Sequence, residues 1–343
     1  MKMKAAVFYD ANSPLKIEEV NRPKPSANEV LLTVRICGIC HTDLSMFKGL
    51  IIPRKKPVIF GHEISGDIED VGEGVSKFGK GDRVIVSSVI SCGRCYYCSA
   101  GRENLCKQSK TIGIDIDGGY AEYISVPEDN VFNLPNNISY EEGSLIGDVL
   151  ATAYHAVQRS RVCAGESVII YGAGALGMCA VQIVSNLIGA KAIVVDIFDM
   201  KLKLAKELGA HEVINSGKEN PVKRALEITG GMGVDCAMEF VGIPVTYQQA
   251  IDSVRRGGRV MLVGATAEKF EVSPRRFFKD EVEVTGAYST LKSKVPELIE
   301  LVEKGKIKLR KLLTHTISLD EINYGMEILE KGIENPIKVL IKN

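Results

Sequence analysis

The sequence predicts an α/β chain of two domains, one of them a doubly wound parallel sheet and the other a mostly β, barrel-like body. Three observations carry this reading. The chain has 343 residues, whereas one hydrophobic core usually serves roughly 100–200. Up to about residue 150 the apolar runs are short and bounded by Pro, Asn and Gly, as in strands joined by turns. Beyond that point, strand-like and helix-like runs alternate, which is the pattern of a Rossmann-type sheet.

Taken in order, Ala5–Tyr9 and Val30–Val34 read as strands, and dense glycines from Gly61 to Gly81 suit a tight barrel with many turns. Ser167–Tyr171 is an apolar run that fits a buried parallel strand. A glycine turn and a helical stretch to about Ile188 follow, then a strand at Ala192–Asp196 and a helix at Met200–Leu208. Val234–Phe240 and Arg259–Val263 continue the strand series, and an amphipathic helix around Val295–Glu303 precedes a closing strand, Ile337–Ile341. The lysine-rich stretch Lys292–Lys311 reads as a solvated helix face.

Composition narrows the function. Hydrophobic residues make up 45% and charged residues 25%, as in ordinary globular protein. Lys plus Arg and Asp plus Glu both number 43, which argues against a nucleic-acid partner. The N-terminal apolar stretch ends at Asp10, a poor leader peptide. The stretch Val168–Val184 carries three glycines and Gln182, and falls short of the ~20 residues that span a bilayer. A cytoplasmic protein without a membrane partner is expected. Four of the nine cysteines lie between Cys92 and Cys106; in a reducing compartment such clusters more often bind metal than form disulfides.

Gly172, Gly174 and Gly177 form G-x-G-x-x-G around Ala175 and Leu176, with a strand before and a helix after. Glycines there permit a tight turn and close approach to a pyrophosphate, and the helix N-terminus offers unpaired N–H groups and positive partial charge. Asp196 follows Gly177 by 19 residues, where an acid accepts hydrogen bonds from the adenosine ribose. Its charge would repel a ribose phosphate, which favours NAD over NADP. The bland alternative is a glycine turn that only packs strand on helix.

Cys92, Cys95, Cys98 and Cys106 follow C-x2-C-x2-C-x7-C. Four thiolates fill a zinc tetrahedron and leave no open position, so this zinc would be structural. An iron–sulfur cluster and a disulfide pair are the alternatives. A second constellation is dispersed: CGICHTD at 37–43 offers Cys40, and GHE at 61–63 offers His62 and Glu63. Taken alone, Cys40 also reads as a buried apolar cysteine and His62 as a core histidine. Cys37 alternates with Cys40 and reads as core. Cys163, Cys179 and Cys236 are isolated, and His155, His211 and His315 have no partner legible in sequence.

Six motifs in order carry a resemblance: GICHTD at 38–43, GHE at 61–63, the four-cysteine lobe, GGYAEY at 118–123, GDVLATAYHAV at 147–157 and GAGALG at 172–177. Over nearly its whole length the chain resembles the medium-chain, zinc-dependent alcohol dehydrogenases. The resemblance implies a GroES-like β-barrel catalytic domain made from both chain ends, 1–149 and 288–343, around an inserted NAD-binding Rossmann domain, 150–287, with the active site in the cleft between them. It implies two zinc ions per subunit. One, the catalytic zinc, would be held by Cys40, His62 and Asp148, with Glu63 as a further ligand when no substrate is bound. Asp148 stands where many members have Cys and others an acid.

Such a zinc is a Lewis acid towards the alcohol oxygen, and it can bring a bound water's pKa down to about 7. In the family the residue at Thr42 accepts the hydroxyl proton. Many members pass it to a His three residues on, where this chain has Ser45; water or His41 would serve instead. As a bland alternative, Thr42 is a turn hydroxyl bonded to its own backbone. Asp43 corresponds to the acid that holds the imidazole of His62. By the same resemblance His41 and Lys338 lie near the cofactor pyrophosphate, Thr152 near the nicotinamide and Lys201 near the adenine ribose. Ser88 stands where the family often has a bulky pocket residue, which suggests a roomier pocket. The expected activity is NAD-linked oxidation of primary or secondary alcohols, and the reverse reaction, by a homo-oligomer, a tetramer or a dimer. A polyol, sugar or amino-alcohol (threonine-type) dehydrogenase is the alternative. A non-catalytic cofactor-binding protein would carry damage at Cys40, Thr42, His62 or the glycine turn, and all are intact.

Overall fold

A computed structural model of the chain describes residues 1–265 and 268–343. The chain divides into two units: Met1–Ala151 with Ser289–Gly305 and Leu309–Asn343, and Thr152–Tyr288 with Lys306–Lys308.

The unit built from both chain ends is organised by one long strand, Glu29–Ile39. Its sequence, EVLLTVRICGI, is rich in β-branched and apolar residues, and most of it is buried. Along one edge it pairs antiparallel with Glu63–Val71. Its first half also pairs with Tyr123–Pro127, and its second half with Lys338–Lys342. This change of partner brings the end of the chain into the N-terminal sheet. Val131–Asn133 and Arg83–Val86 extend the sheet on one side, and Leu313–Ser318 lies parallel to Lys338–Lys342 on the other. The helix Ile322–Lys331 joins those two parallel strands, and its buried Ile322, Met326 and Leu329 enter the same core as Val34, Ile39, Phe60 and Ile64. A small sheet of Lys2–Phe8, Lys16–Asn21 and Val58–Ile59 completes the unit.

The second unit carries six parallel strands in the order Glu212–Asn215, Lys191–Asp196, Ser167–Tyr171, Val234–Glu239, Val254–Leu262, Glu283–Gly286. In sequence rank this is 3-2-1-4-5-6, the order of a Rossmann sheet, and the direction of winding reverses between Ser167–Tyr171 and Val234–Glu239. The strand at its centre carries the apolar, fully buried run VIIY of Val168–Tyr171, as expected of a strand covered on both faces.

The helix after the glycine turn runs to Ile188 as expected, α-helical over Ala175–Gln182 and widened into a π-helical turn over Ile183–Ile188, ended by left-handed Gly189. Two expectations change. The strand expected at Arg259–Val263 begins five residues earlier, at Val254, which pairs with Val234; a bulge at Arg255–Gly258, with Gly257 at φ +66°, follows before pairing resumes at Arg259 with Cys236. The lysine-rich stretch is no single helix face: short 3-10 turns at Lys292–Lys294 and Arg310–Leu312 flank the helix Val295–Glu303, which packs Leu298, Ile299 and Val302 inward. Among the described residues no helix is long and apolar enough to cross a membrane.

Candidate active site

Within the unit that holds both chain ends, ligand-type atoms of Cys40, His62, Glu63 and Asp148 all lie within 4.8 Å of one another. They arrive from separate stretches of chain. Cys40 follows the central strand directly and caps the helix His41–Phe47. His62 immediately precedes the strand Glu63–Val71, which Glu63 opens. Asp148 sits in a π-helical turn, Ile146–Leu150. That turn can approach the barrel because Gly147 has no side chain; a Cβ there would run into the carbonyl of Val86.

Hydrogen bonds set the ligand directions. Asp43 Oδ2 accepts the Cys40 backbone N–H at 2.9 Å and the Tyr120 hydroxyl at 2.7 Å. Its other oxygen faces His62 Nδ1 at 3.6 Å, while His62 Nε2 lies 3.8 Å from Asp148 Oδ2. Ser88, buried, donates to Asp148 Oδ1 at 2.9 Å. Ser88, noted in the sequence for its small size, anchors the carboxylate of Asp148 through its hydroxyl. Lys338, expected near a pyrophosphate, is buried with its ammonium bonded to Glu63 Oε1. These two side chains meet across Gly38, since the strands that carry them flank it on either side. A Cβ on Gly38 would overlap the Glu63 carboxylate and stand 2.9 Å from Lys338 Cε.

The donor set fits a zinc ion: a thiol, an imidazole and carboxylates, with several charged groups buried together. Within the cluster Glu63 Oε2 is buried without a hydrogen-bond partner, which is costly unless something else satisfies it; Asp43 Oδ1 and His62 Nδ1, also buried, face each other and leave His62 Nε2 towards the cluster. Burial alone would lower the pKa of His62, but Asp43, Cys40 and Asp148 outweigh it and hold the ring well above its ordinary value. Burial likewise disfavours charge on Lys338, and Glu63 and Cys40 more than restore it. The surroundings thus ask for positive charge at the centre of the cluster. Thr42 stands beside it, its Oγ1 3.6 Å from Cys40 Sγ. His41, at the first position of the same helix, is exposed. Cys37 is in the core.

The sulfurs of Cys92, Cys95, Cys98 and Cys106 form the second group, also within 4.8 Å of one another. Cys92 and Cys98 are 4.0 Å apart, and Cys95 and Cys98 3.5 Å. Around a tetrahedral zinc with bonds of about 2.3 Å, sulfurs stand about 3.8 Å apart. All four are unbridged. The lobe is closed at its base by a two-stranded pair, Val89–Ile90 with Lys110–Thr111. A hydrogen bond from the Arg94 amide leads the effects that bring the Cys92 thiol down to about 6. The cluster fits a structural zinc.

Residues 26–136 match the family model described as an alcohol dehydrogenase GroES-like domain, and residues 175–304 match a zinc-binding dehydrogenase domain. An alcohol dehydrogenase of Geobacillus stearothermophilus is 36% identical over 340 residues, covering 98% of this chain and 99% of the relative. The chain belongs to the medium-chain, zinc-binding alcohol dehydrogenase family. It is therefore an oxidoreductase. A sorbitol dehydrogenase of Bacillus subtilis (strain 168), 33% identical over 344 residues, covering 99% of this chain and 97% of the relative, is also similar to it. The crystal structure of an alcohol dehydrogenase from the archaeon Aeropyrum pernix matches with a TM-score of 0.91 at 35% identity, covering 99% of this chain and 100% of that one.

The second unit of this zinc-binding dehydrogenase holds the glycine turn. Gly172 has φ +97°, and Gly174 caps the helix that starts at Ala175. A Cβ on Gly177 would strike the Gly172 carbonyl, so this glycine is needed for strand and helix to close. A Cβ on Gly174 would have no other described atom within 4 Å beyond its immediate neighbours in the chain and helix, so that side of the turn is open. Leu176 lies in the first turn of the same helix, whose leading amides have no partner within the helix. Asp196 stands at the end of the neighbouring strand and braces the turn: Oδ2 accepts from the Ala173 amide at 2.8 Å, and Oδ1 from Ile197 and Phe198 at 2.8 and 3.0 Å. Lys201 lies in the following helix with its ammonium 5.0 Å from the centre of the Phe198 ring. Thr152, partly buried, is in the helix Ala151–Ser160.

Sequence reasoning missed four contributors: Ser88 as the anchor of Asp148, Lys338 as the partner of Glu63, Tyr120 on Asp43, and Glu239. Glu239 Oε1 accepts from Val241 N, Gly242 N and Thr246 Oγ1 at 2.8, 2.9 and 2.7 Å, and so folds the loop whose Val241 packs on Gly172. Ser88 and Lys338 were site candidates in other roles, Tyr120 left a trace only as the aromatic of GGYAEY, and Glu239 left none.

Proposed function

We propose that the chain is a zinc-dependent, NAD-linked alcohol dehydrogenase that oxidises primary or secondary alcohols to aldehydes or ketones, and runs the reverse. The observation that carries this reading is the gathering of Cys40, His62 and Asp148, with Glu63 beside them, into one largely buried cluster. Bound there, zinc would supply Lewis acidity towards the alcohol oxygen. The remaining work falls to the protein. Asp43 holds the His62 ring and Ser88 holds Asp148, so the ligands keep their direction while substrate exchanges. The hydroxyl of Thr42, beside Cys40, accepts the alcohol proton as it passes its own onward, to water or His41. Lys338 neutralises Glu63, which leaves Glu63 available without committing it as a permanent ligand. The glycine turn binds the pyrophosphate, and Asp196 takes the adenosine ribose and disfavours NADP.

A polyol is the second substrate class. It is favoured by the similarity to a sorbitol dehydrogenase and by an oxygen-rich ligand set with Ser88 alongside. Reduced-nicotinamide absorbance separates the two when zinc-replete protein and NAD are mixed with a panel of simple and polyhydroxy alcohols. Turnover that a chelator abolishes and zinc restores is expected, with NAD preferred to NADP. Absence of turnover with every alcohol and both cofactors would overturn the reading.

A further inference from the structure

We propose that Tyr120 is a positioning residue for the mixed cluster: its hydroxyl fixes the carboxylate of Asp43, and through it the directions of Cys40 and His62 as metal ligands. This rests on the reading of that cluster as a metal site.

The chain of contacts is short and buried. Tyr120 and Asp43 are each fully buried. The phenol donates to Asp43 Oδ2, and that same oxygen accepts the Cys40 amide. With Oδ2 held twice, Oδ1 is turned towards His62 Nδ1. One carboxylate therefore serves the backbone of one ligand and the ring of the other. Its rotation about Cβ–Cγ is a soft torsion with no strong preference of its own. A single amide bond would leave that rotation loose; the second bond, from Tyr120, sets it.

Tyr120 is in turn held against the ligand segment. The motif stretch 118–120 runs along 59–61, with Gly118 N to Ile59 O at 2.8 Å, Gly119 N to Gly61 O at 2.8 Å and Tyr120 N to Phe60 O at 2.9 Å. Its ring covers Gly61, the residue before His62. Gly61 has φ +94°, and a Cβ on it would stand 2.7 Å from the ring's Cε1 and 2.7 Å from Cys37 Sγ. Packing explains an aromatic ring here but not its hydroxyl. A phenylalanine would fill the same space without burying an O–H, which is costly unless bonded. The hydroxyl is explained by its contact with Asp43.

The substitution Tyr120→Phe tests this on the zinc-loaded full chain, by metal content and by chelator competition for zinc. The wild type should hold two zinc ions per chain and His62→Ala one. Tyr120→Phe should weaken the second zinc by about 10- to 100-fold, retain the four-cysteine zinc, and melt close to the wild type. Asp43→Asn should weaken it too, and adding Tyr120→Phe to Asp43→Asn should cause little further loss, because the two act in series. Unchanged zinc affinity in Tyr120→Phe, or fully additive losses in the double variant, overturns the proposal. A wild type with one zinc that His62→Ala does not alter overturns the metal reading beneath it, a different result from either.

Discussion

The four-cysteine lobe and the mixed cluster hold donor atoms equally close together, yet they are built in opposite ways. The lobe draws its sulfurs from residues 92–106, closed by one local strand pair. The mixed cluster draws on a strand end, a strand start and a π-helical turn, at positions 40, 62, 63 and 148. Four like thiolates satisfy a zinc completely and leave nothing for a substrate. The mixed set carries buried oxygens and a ring nitrogen without partners, and a lysine that offsets one acid. The first arrangement suits a staple, the second a reactive centre whose ligands are aimed by the whole fold.

That contrast predicts opposite damage. His62→Ala should lower kcat/KM by about 1,000-fold, the several kcal/mol expected of a lost Lewis acid, while NAD binding and melting temperature change little. Cys95→Ser should do the reverse. Its direct cost is stability, about 3 kcal/mol, or roughly 10 °C in Tm for domains of this size, with kcat per folded, zinc-loaded site preserved. Steady-state kinetics and calorimetry on both variants check this. If Cys95→Ser abolished turnover in fully folded protein, or His62→Ala mainly cost stability, the division between staple and centre would fail.

The same contrast explains what could be read in advance. The lobe is legible because its chemistry is local: four cysteines at short spacing need no tertiary structure to be noticed. The alternating strands and the glycine turn were legible for a similar reason, since each lies within one strand–turn–helix. The mixed cluster was read only as separate candidates until six motifs together suggested a family. Apart from Asp43, its supports escaped, because they are pairings across long loops. Ser88 meets Asp148 across 60 positions and Lys338 meets Glu63 across 275. A serine or a lysine in isolation carries no signal of its partner. The size of Ser88 is legible in the sequence, but the partner of its hydroxyl is not. Element ends erred where periodicity is weakest, as at the polar Arg255–Gly258 inside a long strand.

Gly38→Ala sharpens the comparison without removing any ligand. The added methyl would meet the Glu63 carboxylate and Lys338 Cε, so the ion pair must shift inside a packed interior. Overpacking of this kind costs about 1–3 kcal/mol. The expected result is a Tm loss of several degrees together with a fall in kcat, because Glu63 is pushed while Cys40 and His62 remain. The lobe's zinc should be untouched. Metal analysis, melting and kinetics on one preparation read all three. Normal kinetics with normal stability would mean that the Glu63–Lys338 pair is not held across Gly38 as described.

The smallest change asks whether a single hydrogen bond matters to the centre. Ser88→Ala removes the donor to Asp148 Oδ1 and nothing else of size. A hydrogen bond to a charged group is worth about 1.5–3 kcal/mol, but Asp148 is partly exposed, so water recovers much of it and about 1 kcal/mol should remain. Zinc affinity at the mixed cluster should fall by about fivefold by chelator competition, a loss of that size, and excess zinc should restore kcat. The comparison with Ser88→Thr then matters, because threonine keeps the hydroxyl while adding a methyl. If affinity follows the hydroxyl, falling in Ser88→Ala and holding in Ser88→Thr, then Ser88 acts through Asp148. If both variants bind zinc as the wild type does but change the ranking of alcohols, Ser88 is a pocket residue after all, and its contact with Asp148 is incidental.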